Sequence, residues 1–213
     1  QEGSGLKITG IRMTIVTKGS AIPGEKAAVQ GIDPNRPMIA LTFDDGPHAP
    51  VTNRILDSLE ANGGRATFFM VGNRVTGKAN KAAVARMAAL GCEVANHTYE
   101  HKAITKLGAE GIKSQLARAN DSIRLAGGVS PVLMRPPGGA KSDAAMKTVG
   151  SMGMSAVLWS IDTLDWKTKN KQKTIDAVIG HVKDGDIVLM HDIWQGTLPG
   201  VLAAIDELQS RTD

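Results

Sequence analysis

The strongest constraint on this chain is a rhythm that begins after Pro37. Short apolar runs fall at residues 38–43, 66–71, 92–96, 132–135, 156–161 and 186–191, each parted from the next by a segment long enough for a helix. Strands so far apart cannot be joined as hairpins, so the spacing predicts a parallel sheet with helices packed over it. Ile55, Leu56 and Leu59 precede the stop Gly63-Gly64, and Ile112, Leu116 and Ile123 precede Gly127-Gly128. Ile175, Val178, Ile179 and Val182, then Val201, Ile205 and Leu208, carry later helices at the same period. An open doubly wound sheet and a β/α barrel both fit this alternation. The first strand runs into Thr42-Phe43-Asp44-Asp45-Gly46-Pro47 rather than a glycine-rich phosphate loop, which favours the barrel.

Upstream, Ile8, Ile11, Met13 and Ile15 partly alternate with polar residues, as in a strand or ribbon. Two prolines in Ile32-Asp33-Pro34-Asn35-Arg36-Pro37 mark a linker, so residues 1–37 read as a small N-terminal extension and 38–213 as one main domain. A chain of 213 residues with 42% hydrophobic content can bury one sizeable core. With 22% charged residues and no apolar run of about 18, neither a disordered nor a membrane-spanning chain fits. The N-terminus lacks a basic and apolar leader, so an export signal is expected to have been removed or never present, and location is not legible there. Cys92, the only cysteine, opens a buried strand and cannot form an intrachain disulfide.

Net charge is +4, a mild excess that suits an anionic polymer without demanding nucleic acid, for which no motif is present. Lys167, Lys169, Lys171 and Lys173 read as a solvated loop, with steering of an anionic polymer as the functional alternative.

Five polar clusters fall at or just past strand ends: Asp44-Asp45, His97 with His101, Arg135, Asp162 with Asp165, and His191. That end of a β/α sheet is where catalytic groups collect. Adjacent carboxylates at a strand end point in different directions, so one can ligate a cation while the other takes a proton; a turn with a helix cap would look the same. Histidines four apart converge on one ion if the segment makes a helical turn, and are otherwise surface or core residues. With Asp45 they make two imidazoles and a carboxylate, which leaves coordination positions open as a catalytic site requires. His191 at the sheet rim suits a general acid oriented by Asp165, or a ring bonded to a local carbonyl. Arg135 pairs with Asp44 or is a surface residue beside a turn.

Taken in order, these clusters resemble the five motifs of the polysaccharide deacetylase family, carbohydrate esterase family four, over residues 38–191. The segments are Thr42-Phe43-Asp44-Asp45-Gly46-Pro47, His97-Thr98-Tyr99-Glu100-His101, Arg135-Pro136-Pro137-Gly138-Gly139, Asp162-Thr163-Leu164-Asp165-Trp166 and Leu189-Met190-His191. The resemblance implies a distorted (β/α) barrel. It also implies Asp44 as catalytic base, Asp45, His97 and His101 as ligands of one divalent ion, and His191 as catalytic acid. Arg135 would hold Asp44 and Asp165 would tune His191, while Gly138, Trp166 and Leu189 would contact substrate. Zinc suits the donor set, with cobalt or nickel as alternatives. The implied protein is a secreted or cell-surface monomer acting on an acetylated polysaccharide, peptidoglycan first and chitin-type oligosaccharide second. Acetylxylan esterase and a catalytically silent carbohydrate-binding protein are the competing readings.

Two departures bear on this. An aromatic residue commonly follows the second proline of the third motif, whereas Gly138 stands here, so a more open groove wall is expected. The chain also stops at Asp213, soon after the helix of Leu208, so a last family strand is expected to be missing or atypical.

Overall fold

A computed structural model describes the backbone at residues 6–9, 12–15 and 38–210, and side chains over 38–208. Strands β1 (Leu6–Thr9) and β2 (Arg12–Ile15) pair antiparallel, in line with the ribbon read from their alternation. The expected boundary at residue 37 and the question of a last strand after Leu208 lie outside the described residues.

The main sheet holds β3 (Ala40–Asp44), β4 (Thr67–Met70), β5 (Glu93–Asn96), β6 (Leu133–Met134), β7 (Ser155–Ala156), β8 (Ile161–Asp162) and β9 (Ile187–His191). Its order is β7-β6-β5-β4-β3-β9-β8 and every pair is parallel. The sheet curls into an open, distorted (β/α) barrel whose two edge strands, β7 and β8, are consecutive in the chain. Helices α1 (Ala49–Ala61), α2 (Gly77–Ala89), α3 (Ala109–Gly127), α4 (Asp143–Ser151), α5 (Asp165–Thr168), α6 (Lys171–Ile179) and α7 (Leu198–Ser210) fill the connections. Ser142 and Asn170 cap α4 and α6 by accepting the backbone N–H of Ala145 and Lys173. Among the described residues no helix is long and apolar enough to cross a membrane.

Burial on both faces explains the continuous apolar runs of the central strands. All four residues of β4 are buried. Phe68 joins Phe43, Ile55, Leu56, Leu59, Val84, Met87 and Val201 in one core cluster. Phe69 belongs to a separate cluster with Ala95, Leu133, Val157 and Ile187.

Two expectations need correction. The apolar run 156–161 is not one strand: β7 and β8 are two-residue pieces, and the stretch between them crosses the gap between sheet edges. Its carbonyls are taken by a side chain, since Arg135 donates to the oxygens of Val157 and Leu158 at 3.2 and 3.0 Å. The lysine run is no loop either. Lys167 lies on α5, Lys171 and Lys173 on α6, with Lys169 between them; all four are exposed, as expected of a solvated segment.

Phe68 stacks on Phe43 with ring centroids 5.1 Å apart, and both are fully buried. Phe68→Ala is expected to cost about 3–5 kcal/mol, read as a lowered midpoint in urea denaturation with the slope unchanged.

Candidate metal and acid–base site

Asp44 ends β3 directly beside His191, which ends β9, in parallel register. Asp45 follows with φ 77, a left-handed conformation that turns its carboxylate away from that of Asp44. Asp44 Oδ1 accepts a 2.8 Å hydrogen bond from Arg135, whose side chain is fully buried. The same guanidinium nitrogen reaches Thr42 Oγ1 at 2.8 Å, and the guanidinium carbon lies 4.2 Å from the centre of the Phe69 ring. Burial pushes the arginine's pKa down and Asp44 opposes that fall. Arg135 is thus no surface residue: it is the buried partner of Asp44.

His97 follows β5, and its Nδ1 lies 2.7 Å from the Arg135 carbonyl oxygen. A carbonyl only accepts, so Nδ1 carries the hydrogen and the Nε2 lone pair faces the two carboxylates. Nε2 stands 3.7 Å from Asp44 Oδ2 and 3.6 Å from Asp45 Oδ1. Burial, opposed by the charges of Asp44 and Asp45, lowers the His97 pKa. His101 Nε2 lies 3.0 Å from Asp45 Oδ1. The two imidazoles meet at a centroid distance of 5.0 Å. They do so without the helical turn expected from their spacing, because Thr98 and His101 take left-handed φ values of 65 and 56.

One ligand atom from each of Asp45, His97 and His101 lies within 4.8 Å of the others, as donors around one ion would. Asp45 Oδ1 is buried and accepts no hydrogen bond even though two imidazole nitrogens face it. A buried carboxylate oxygen left in that state is costly unless a cation satisfies it. Burial would raise the Asp45 carboxyl, but the histidines around it bring it down to about 2. It is therefore ionised at neutral pH and available to a cation. A carboxylate and two imidazoles fit a divalent cation and leave positions open for water or substrate.

Across the site, the buried Asp165 accepts from both the backbone N–H of His191 (2.9 Å) and its ring Nδ1 (2.7 Å). This fixes the ring and leaves Nε2 outward. Burial lowers the His191 pKa, yet the hydrogen bond and charge of Asp165 outweigh it, and the net shift is upward. Trp166 follows on α5, 47% exposed, with its N–H bonded to Asp165 Oδ1. Leu189 is buried on β9, two residues before His191. Gly138 turns the chain after Arg135 with φ 62 and open space where a Cβ would stand. A side chain there would meet no neighbour but would be strained, so this wall is bare.

Three participants escaped the sequence reading. Thr42 shares the Arg135 bond, and Arg74 donates to the Asp45 carbonyl at 2.8 Å; neither carries a local signal. Asp192 had one, an acidic residue directly after His191 at the end of the apolar run Ile187-Val188-Leu189-Met190. It is buried, one oxygen accepts from Thr52 Oγ1 at 2.5 Å, and the other has no partner. Gly46 lies so close that a Cβ there would come within 2.3 Å of both Asp192 oxygens, so the loop holding Asp45 admits only glycine at this point.

Residues 31–157 match the family described as polysaccharide deacetylase. The peptidoglycan-N-acetylmuramic acid deacetylase PdaC of Bacillus subtilis is 40% identical over 77% of this chain and 34% of its own. A chitooligosaccharide deacetylase of Sinorhizobium fredii is 38% identical over 80% of this chain and 77% of its own. The solved structure of B. subtilis PdaC aligns with a TM-score of 0.77 at 39% identity, covering 84% of this chain and 86% of that one. The chain thus spans about a third of the full length of PdaC.

Burial raises the Asp192 carboxyl from 3.8 to about 7, a shift that the Thr52 hydrogen bond only partly offsets. Because the folded-state value exceeds the unfolded one, the stability contributed by the protonated acid is complete below about pH 4 and is lost as pH rises through about 7. Asp192→Asn should therefore gain in melting temperature relative to the parent as pH rises across that window. Parallel thermal melts that show a constant difference would contradict this.

Proposed function

Because the chain belongs to the polysaccharide deacetylase family, we propose that it is a metal-dependent hydrolase that removes acetyl groups from an N-acetylglucosamine-containing polysaccharide. The observation that carries this reading is the pairing of two proton-handling groups with separate buried partners, Asp44 with Arg135 and His191 with Asp165, beside the cluster Asp45, His97 and His101. A purely structural metal site would need neither pair.

When bound by Asp45, His97 and His101, a divalent cation would polarise the acetyl carbonyl and make a water acidic near neutral pH. Asp44 is then the base that takes a proton from the attacking water, held in place by Arg135. A backbone N–H near Gly138 donates to the developing oxyanion. His191, protonated more readily because of Asp165, gives its Nε2 proton to the departing nitrogen. An amine leaves poorly unless protonated, so an amide substrate makes this acid more necessary than an ester would. Leu189 lines the pocket for the acetyl methyl, and Trp166 forms one wall of the groove.

Two nitrogens and one carboxylate oxygen support zinc, and cobalt and nickel suit the same donors. Peptidoglycan is the first substrate and chitin-type oligosaccharide the second; the names of the relatives span both, and the positive charge favours an anionic wall polymer. Such a substrate places the protein outside the cytoplasm, at the cell surface or secreted. The proposed chemistry is complete with Asp44, Asp45, His97, His101, Arg135, Asp165 and His191 and calls on no residue of a second copy, so we take a monomer as the acting form.

Acetate release from peptidoglycan, chitin oligomers and acetylxylan, measured side by side, tests the reading. Chelation should abolish release and added divalent metal restore it. Asp44→Asn should keep metal but lose at least about 10²-fold in turnover, and His97→Ala should lose both. Near-native turnover in Asp44→Asn would remove the assigned base, and tight glycan binding without acetate release from metal-loaded protein would favour a silent binding protein. Asp165→Asn withdraws the charge that lifts the His191 pKa, so the alkaline limb of the kcat/KM profile should move to lower pH. An unmoved limb would argue that His191 is not the acid.

A further inference from the structure

The chain has only seven aromatic side chains, and their placement is uneven. Phe43, Phe68 and Phe69 are fully buried, while Tyr99 and Trp159 are partly covered. Trp166 and Trp194 are the two that stand in the open, at 47% and 42% exposure. Both flank His191. Trp166 follows Asp165, which holds the His191 ring, and Trp194 lies three residues beyond His191 after the buried Asp192.

Trp194 is not a loose surface residue. Its carbonyl accepts from the backbone N–H and the hydroxyl of the buried Thr197 at 3.2 and 2.9 Å. The Lys169 ammonium sits 5.2 Å from the centre of its ring, within cation–π range. Lys169 is itself tied to the site, because its backbone N–H donates to the Asp165 carbonyl at 2.9 Å. The segment from Leu164 to Lys169 is bracketed by two non-glycine residues in left-handed conformation, with φ 51 and 46. Such conformations cost energy and persist where the surroundings fix them. A tied loop, a cation and an indole are thus held together at the rim, with the ring in water.

An exposed, ordered indole offers a large apolar face at little cost in side-chain entropy, and the C–H face of a pyranose ring is its natural complement. In the proposed reaction the acetyl carbonyl points to Asp45, His97 and His101, while the nitrogen protonated by His191 stays on the sugar. The glycan therefore extends away on the His191 side. We propose that Trp194, ordered by Lys169, is a second sugar-stacking surface beyond Trp166, contacted by a distal residue of a longer N-acetylglucosamine chain and out of reach of a short one. This inference rests on the deacetylase reading for its direction. The Lys169 ammonium adds a donor for hydroxyls or for an acidic substituent at that position.

The test is chain-length dependence. N-acetylglucosamine dimer and hexamer are compared as substrates of the metal-loaded parent, Trp194→Ala and Trp194→Phe. Hexamer binding is also measured by calorimetry in an Asp44→Asn background, where turnover is stopped. Trp194→Ala should lower the hexamer-to-dimer preference in kcat/KM by about tenfold, with the loss carried by KM, and weaken hexamer binding to the same degree. Trp194→Phe, which keeps a ring face, should recover most of both. If Trp194→Ala does not fold, Trp194→Leu retains apolar bulk without the ring and reads the same loss. Unchanged hexamer preference and affinity in the variant lacking the ring would overturn the proposal while leaving the deacetylase reading intact. Absence of acetate release from every glycan would instead sink that reading, and the Asp44→Asn titration would still report on Trp194 by itself.

Discussion

The buried guanidinium of Arg135 is the interaction on which both the fold and the site depend. Its nitrogens reach Asp44 and Thr42 on β3 and the carbonyls of Val157 and Leu158 in the stretch joining β7 to β8. Its own carbonyl accepts from His97 Nδ1. A single side chain thus ties β3 to the stretch between β7 and β8, holds Asp44 in place and, through its residue's backbone, selects the tautomer of His97. Burying such a cation is expensive unless it is fully paired, and here each of its contacts is also structural or functional. Removing one partner would leave a charge stranded in the wall, so these residues act as a unit.

Much of the architecture is legible because the physics behind it is local. Apolar runs parted by helix-length segments leave few alternatives to a parallel sheet, and the polar residues that interrupt those runs fall at one end of it. Asp44, His97, Arg135 and His191 were visible as polar side chains where apolar ones were due. What stayed hidden depends on distant partners. Nothing between 156 and 161 announces a broken strand, and the arginine that takes the carbonyls of Val157 and Leu158 lies about twenty residues earlier. The convergence of His97 and His101 follows from left-handed turns at Thr98 and His101, which no glycine or asparagine marks. Arg74 and Thr42 look ordinary in the sequence because their roles exist only across the fold.

The site also shows how neighbouring carboxylates acquire different characters. Asp44, Asp45, Asp165 and Asp192 lie at the same end of the sheet. Asp44 faces a guanidinium, Asp45 faces imidazole nitrogens, Asp165 holds a histidine, and Asp192 meets a threonine hydroxyl and a glycine. The first three neighbours carry or attract positive charge and suit an anion. The last does not, and Asp192 is driven toward its neutral form. Chemical assignment here follows surroundings rather than residue type.

The unclosed seam has a consequence for how copies of the molecule meet. An open sheet ordinarily exposes ladders of unpaired amides and carbonyls that can recruit strands from other chains. Both borders here, β7 and β8, are only two residues long, and the carbonyls just past β7 are already engaged by Arg135. A margin that short offers almost no template. Leaving the barrel incomplete therefore creates room for a groove without creating a surface on which sheets of separate molecules could grow together.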